Sequence, residues 1–135
     1  MDNRELIKLA LEARKNSYSP YSDFKVGAAL LTKSGKVYTG CNIENAAFGP
    51  TVCAERTAIF KAVSEGEREF VKITVAGGKN DIPDSYAFPC GVCRQVLAEF
   101  CGADFEIISA VSPEDSVSRT LSEMLPDSFG PDNLG

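Results

Sequence analysis

At 135 residues the chain fits one domain spanning 1–135, and a hydrophobic content of 44% supplies a core while leaving surface that an oligomer could bury. Its net charge of −5 argues against nucleic acid as a partner, which normally demands a basic patch, and no apolar run approaches the roughly 18 residues that a membrane span needs. There is no histidine, which excludes Ser-His and Cys-His catalysis and every His metal ligand, so a transition-metal site must draw on Cys with Asp or Glu.

The opening Met1-Asp2-Asn3-Arg4-Glu5 lacks the basic-then-apolar plan of a signal peptide, and a cytoplasmic location is expected. Apolar residues at helical spacing predict an amphipathic helix over 4–16, broken by the serines and Pro20 of 17–22. A strand over 24–32, a two-residue Ser34-Gly35 turn and a strand over 36–43 read as a hairpin. A loop over 44–51 leads to a helix over 52–64 that Gly66 ends. A strand over 70–76, a polar loop over 77–88 and a helix over 90–101 follow. The next two strands, 104–111 and 116–120, are joined by only four residues, too few for a parallel crossover, so they are predicted antiparallel. Thr120-Leu121-Ser122-Glu123 fits a capping box for a last short helix, and the tail from Pro126 to Gly135 is expected to be extended. This order predicts an α/β fold of three layers, α/β/α, around a mixed five-stranded sheet.

The chemistry concentrates at Cys53-Ala54-Glu55 and Pro89-Cys90-Gly91-Val92-Cys93. An odd number of cysteines, five, without a secretory signal reads as reduced thiols and metal ligands rather than disulfides. Three sulfurs, from Cys53, Cys90 and Cys93, would leave a tetrahedral zinc ion one open position for water, and Glu55 stands close enough in sequence to take that water's proton. Both Cys segments fall at predicted helix starts, Cys53 about one residue inside its helix, where the macrodipole favours thiolate. Three thiolates leave a divalent ion with net negative charge, so something must withdraw it; Arg56 and Arg94, each directly after a cysteine, are the candidates to hydrogen-bond the sulfurs. Two readings compete: a thioredoxin-like redox Cys-x-x-Cys, or a closed structural zinc site that recruits Cys41 or Cys101 as a fourth ligand.

From Cys41 through Ala58, and again over Pro89 to Gln95, the sequence closely resembles the small homotetrameric cytidine deaminases. The resemblance extends over nearly the whole chain, including Tyr21 to Leu30 and the Leu-Pro-x-x-Phe tail at Leu125 to Phe129. It implies one Zn²⁺ per subunit on Cys53, Cys90 and Cys93, with Glu55 shuttling protons. It also implies that Asn42 and Glu44 bind ribose hydroxyls, that Phe24 packs on the pyrimidine, that the backbone of Ala54 meets the base edge and that Phe129 reaches a neighbouring subunit's site. The implied reaction is hydrolytic deamination of cytidine and 2′-deoxycytidine in pyrimidine salvage, by a homotetramer that completes its sites across subunits. Phe48, where the family often has Tyr, and Gly49-Pro50-Thr51-Val52 depart from the common pattern. An aminonucleoside-antibiotic deaminase of the same fold and a non-catalytic zinc-binding module are the alternatives.

Overall fold

An amphipathic helix, a hairpin and two Cys-led helices fold in the order the sequence predicts. The computed structural model describes residues 1–135. Its elements are α1 (Asn3–Arg14), β1 (Lys25–Thr32), β2 (Val37–Cys41), α2 (Ala54–Ser64), β3 (Phe70–Gly78), α3 (Gly91–Phe100), β4 (Glu106–Ser112), β5 (Asp115–Thr120) and α4 (Leu121–Met124), with a 3-10 turn at Pro131–Asn133. The strands form one mixed sheet in the order β2-β1-β3-β4-β5. Only β3 and β4 run parallel, joined by α3, and β4 and β5 are antiparallel as their short connection requires.

Helices cover both faces. Leu6 and Ala10 of α1 pack on Ala29, Leu31 and Ala76, and Ile7 packs on Ile108 and Ala110. Across the sheet, Ala58 and Ile59 of α2 and Leu97 of α3 pack on Ala28, Leu30, Ile73 and Ile107. The predicted α/β/α sandwich with a mixed five-stranded sheet is therefore observed. Capping boxes start α1 at Asp2 and Glu5 and, as the sequence suggests, α4 at Thr120 and Glu123.

Four local expectations are corrected. The hairpin turn is longer than two residues: Thr32 N–H donates to the Lys36 carbonyl at 2.9 Å, and Gly35 sits at φ +92°. β2 stops at Cys41: Asn42 N–H still donates to the Val26 carbonyl at 3.2 Å, but Val26 N–H donates in return to the Asn42 side-chain oxygen at 2.9 Å instead of a backbone carbonyl, and Ile43 then bridges singly to Tyr18 and Val52. That bridge keeps the backbone extended through Cys53, which is the N-cap of α2 and not a residue inside it. The tail is not wholly extended, because Asn133 Oδ1 accepts from Gly130 N–H at 2.8 Å and closes a 3-10 turn.

Glycine sets how closely α2 approaches the sheet. A Cβ on Gly40 of β2 would lie 2.6 Å from the Ala54 carbonyl oxygen and 2.6 Å from the Ala58 nitrogen. The bare strand thus lets the first turn of α2, with Cys53 at its head, lie directly on β2. Gly40→Ala forces that turn outward and should destabilise the fold by about 1–3 kcal/mol in urea unfolding; an unchanged midpoint would show that α2 does not rest on this contact.

Candidate metal centre and active site

α2 and α3 point their N-termini at a common place because each begins at a Cys. Cys53 caps α2, Cys90 caps α3, and Cys93 lies one turn into α3 on the side facing Cys90. Neither cysteine caps its helix with a side-chain hydrogen bond, so both sulfurs are left to each other and to a metal. The three Sγ atoms all lie within 4.8 Å of one another. Cys53 and Cys90 are 3.7 Å apart, and Cys90 and Cys93 3.5 Å. A tetrahedral ion with Zn–S bonds near 2.3 Å requires sulfurs about 3.8 Å apart, so the donor set fits zinc in both chemistry and spacing.

Cys41 and Cys101 stand outside this group, which leaves no fourth sulfur to close a structural site. Cys101 is a half-buried thiol whose pKa burial pushes up to about 12, the behaviour of a small hydrophobe rather than a ligand.

Without metal, the sulfurs share protons unequally. The nearby Cys93 sulfur, against the cost of burial, draws the Cys53 pKa down, and the Arg56 and Cys90 hydrogen bonds add to the effect. Cys93 moves the other way, well above the usual thiol range, because the Cys53 sulfur, burial and the Glu55 carboxyl all favour its protonated form. A divalent ion replaces that proton, which makes metal binding proton-releasing.

Arg56 acts as the sequence suggests: its Nη2 donates to Cys53 Sγ at 3.4 Å. Its Nε is buried without a hydrogen-bond partner. Arg94 does not. Its Nε donates to the Pro89 carbonyl at 2.7 Å and its Nη1 to the Met124 carbonyl at 2.9 Å. Following Cys93 by one residue turns it away from the sulfurs, and it ties α3 to the Pro89 loop and α4 instead of compensating thiolate charge.

Glu55 is 4% exposed and sits in the first turn of α2, two residues beyond Cys53. Burial pushes its carboxyl up to about 7, and the neighbouring Cys53 thiolate contributes in the same direction. It lines a cavity of about 270 Å³ together with Cys53, Cys90, Ala54, Phe24, Asn42 and Glu44. Every sequence-predicted site residue on the base and ribose side is thus brought to one place, except Phe129.

Phe129 is 59% exposed on the tail, its carbonyl accepting from Gln95 Nε2 at 2.7 Å, and it takes no part in its own chain's cavity. Phe48, also exposed, sits at φ +54° in the loop before α2.

Asn42 and Glu44 are held by the chain itself. Asn42 Oδ1 accepts from Val26 N–H at 2.9 Å and from the Ser17 hydroxyl, while Nδ2 donates to the Phe24 carbonyl at 2.8 Å. A side-chain amide has two N–H donors, so one remains. Glu44 Oε1 accepts from the backbone of Tyr21 at 2.9 Å and Ser22 at 3.1 Å, and Oε2 accepts from the Ser22 hydroxyl. The Ser22 hydrogen bond above all holds the Glu44 carboxyl below its usual range, so it is an anion with acceptor capacity to spare.

Sequence reasoning missed Ser22, Val26, Thr51, Val52, Val75, Ala87 and Phe88 as cavity residues. Ala87-Phe88 stands directly before Pro89-Cys90, and that adjacency is the one signal that could have flagged them.

Residues 1–108 match the family described as the cytidine and deoxycytidylate deaminase zinc-binding region. The cytidine deaminase of Halalkalibacterium halodurans is 50% identical, over 99% of this chain and 98% of its own length. That of Sporosarcina psychrophila is 44% identical over 99% of this chain and 96% of its own. The crystal structure of cytidine deaminase from Burkholderia pseudomallei matches with a TM-score of 0.87 at 44% identity, covering 96% of this chain and 100% of that one.

The burial of Glu55 has a consequence for the metal-free protein. Its folded carboxyl keeps its proton to about pH 7, against an ordinary value of 4.5, so across that window the folded state binds more protons and stability falls as pH rises. Cys53, deprotonated near 5 in the fold against an ordinary 9, contributes the opposite slope. Urea unfolding of the metal-free protein should therefore show Glu55→Gln gaining about 3 kcal/mol on the parent between pH 4.5 and 7; parallel curves would mean that Glu55 is not desolvated.

Proposed function

The chain belongs to the family of cytidine and deoxycytidylate deaminases with a zinc-binding region, and from that premise we propose that it hydrolyses cytidine and 2′-deoxycytidine to uridine and 2′-deoxyuridine, releasing ammonia. The observation that carries this reading is the convergence of three sulfurs at tetrahedral spacing with a buried carboxyl on one cavity that Phe24, Asn42 and Glu44 also line.

Cys53, Cys90 and Cys93 would hold the zinc ion. Zinc bound there supplies a Lewis acid that makes water a nucleophile near neutral pH. Glu55 accepts a proton from the attacking water. It delivers that proton to ring N3 as the oxygen adds to C4, then takes the second proton from the new C4 hydroxyl and passes it to the amino group, so that the C4–N bond breaks, ammonia leaves and the C4 carbonyl forms. One carboxyl can do all three because burial raises its proton affinity above that of an ordinary carboxylate, so it both takes and gives protons. Arg56 offsets the thiolate charge that would otherwise weaken the site's electrophilic pull.

Binding follows from the pocket walls. Phe24 packs against the pyrimidine and the first turn of α2, at Ala54, meets the base edge. The free N–H of Asn42 and the spare acceptor capacity of Glu44 suit a pair of ribose hydroxyls, one accepting and one donating. The substrate is accordingly a free pyrimidine nucleoside, in a pathway that recovers such nucleosides.

The assembly reading is a homotetramer in which Phe129 of one subunit closes the cavity of another. Two observations support it. The cavity, about 270 Å³, falls just below the volume of usual small-molecule sites, and Phe129 is exposed away from its own cavity. No helix is long and apolar enough to cross a membrane, and a cytoplasmic location is part of the same reading.

Glu55→Gln should keep one zinc per chain and the fold yet lose turnover of cytidine by roughly 10²-fold to 10⁴-fold, followed as the absorbance change from cytidine to uridine; near-normal turnover would remove Glu55 from the chemistry. Phe129→Ala chains should regain activity when unfolded and refolded together with Glu55→Gln chains, since mixed assemblies contain intact sites. Activity no higher than that of the separate variants would confine Phe129 to its own subunit.

A further inference from the structure

Apart from Glu55, one charged side chain is buried: Arg14, at the end of α1 on the opposite face of the sheet from α2. It forms no ion pair. Its guanidinium is spent on backbone carbonyls. Nε donates to Lys25 at 2.8 Å, Nη1 to Asp81 at 2.9 Å, and Nη2 to Gly78 at 2.6 Å and to Asn80. Burial lowers its pKa while Asp81 and Asp84 oppose the shift, so carbonyl dipoles and two nearby acids do the work that a counter-ion would do.

The segments it joins both run into the active-site cavity. Lys25 lies between Phe24 and Val26, which line it. Gly78 to Asp81 open the loop that returns as Ala87, Phe88 and Cys90, which form the facing wall. The two walls touch at Gly77. A Cβ there would lie 3.0 Å from the Phe24 ring, 3.0 Å from Val26 and 3.1 Å from Ala87. The far end of the loop is tied separately, by Ser109 Oγ donating to the Ala87 carbonyl at 2.7 Å. Arg14 therefore fixes the near end, where the loop leaves β3.

We propose that Arg14 is a positioning residue for the deaminase site: one guanidinium, by holding Lys25 and the Gly78–Asp81 segment together, sets the spacing between the Phe24 wall and the Ala87–Phe88 wall. It reaches neither the sulfurs nor Glu55, so its effect falls on how well the base is held rather than on proton transfer. The planar fork is what the geometry uses, because four carbonyls from two segments converge on it. A lysine ammonium offers three donors on one point and cannot span them. The inference rests on the reading of the cavity as a nucleoside site.

The test compares zinc-loaded parent, R14K, R14Q and G78A chains for cytidine KM, kcat, zinc content and thermal midpoint, assayed well below each midpoint. G78A leaves every donor in place but puts a Cβ 3.3 Å from Pro83 Cα and 3.6 Å from Arg14 Nη2, so the loop at Pro83 must shift by a few tenths of an ångström relative to the clamp. R14Q and G78A should raise KM by about tenfold to a hundredfold, R14K by less, with kcat within about twofold and zinc unchanged. Unchanged KM, or a kcat that merely tracks the folded fraction, would make Arg14 a support of the fold alone and overturn the proposal. Should R14Q not fold, G78A decides by the same criteria. A parent chain that leaves cytidine untouched would instead overturn the functional reading on which the inference stands.

Discussion

Two helix starts must meet within the radius of one small cation, and most of the structure answers to that constraint. Cys53 and Cys90 are each the N-cap of a helix, and N-caps are set by the chain that enters them. The Ile43–Val52 bridge holds the backbone extended into Cys53, and Pro89, fully buried, precedes Cys90. Gly40 lets α2 lie on β2, while the parallel β3–β4 pair fixes where α3 begins. Sulfur spacing of a few ångströms is thereby delivered by elements far apart in sequence. The sulfurs already stand at the spacing a tetrahedral ion needs, which lowers the rearrangement that binding requires.

Three arginines divide the tasks around this centre. Arg56 faces the sulfurs and offsets their charge. Arg94, on the next turn of a different helix, ties Pro89 and Met124 through their carbonyls. Arg14 reaches across from α1 to hold the loop that feeds the same site. Only the first acts on the metal. The other two act on backbone, and the distinction matters because a lost carbonyl contact changes pocket shape while a lost sulfur contact changes electrophilicity.

The chain order of elements, a mixed sheet with helices on both faces and the antiparallel last pair were legible because hydrophobic period, turn residues and connection length each constrain them locally, whereas the strand order within the sheet was not. The sulfurs and Glu55 were legible because their chemistry is written in short motifs. What could not be read is side-chain direction. Arg56 and Arg94 are equivalent in sequence, each following a cysteine, yet one meets sulfur and the other does not, because Cys53 is an N-cap and Cys93 is a turn inside its helix. Likewise Arg14 is an ordinary last-turn basic residue until the fold brings Gly78 and Asp81 to it from more than sixty residues away. The Asn42 amide looked free to bind ligand, but most of its capacity goes to Val26, Ser17 and Phe24.

The same convergence separates an open catalytic centre from a closed structural one. X-ray absorption at the zinc edge of the metal-loaded protein tests it most directly. The account predicts three sulfurs at about 2.3 Å and one oxygen at about 2.0–2.2 Å. Four sulfurs would mean that Cys41 or Cys101 had been recruited to fill the position the reaction needs, and would contradict it.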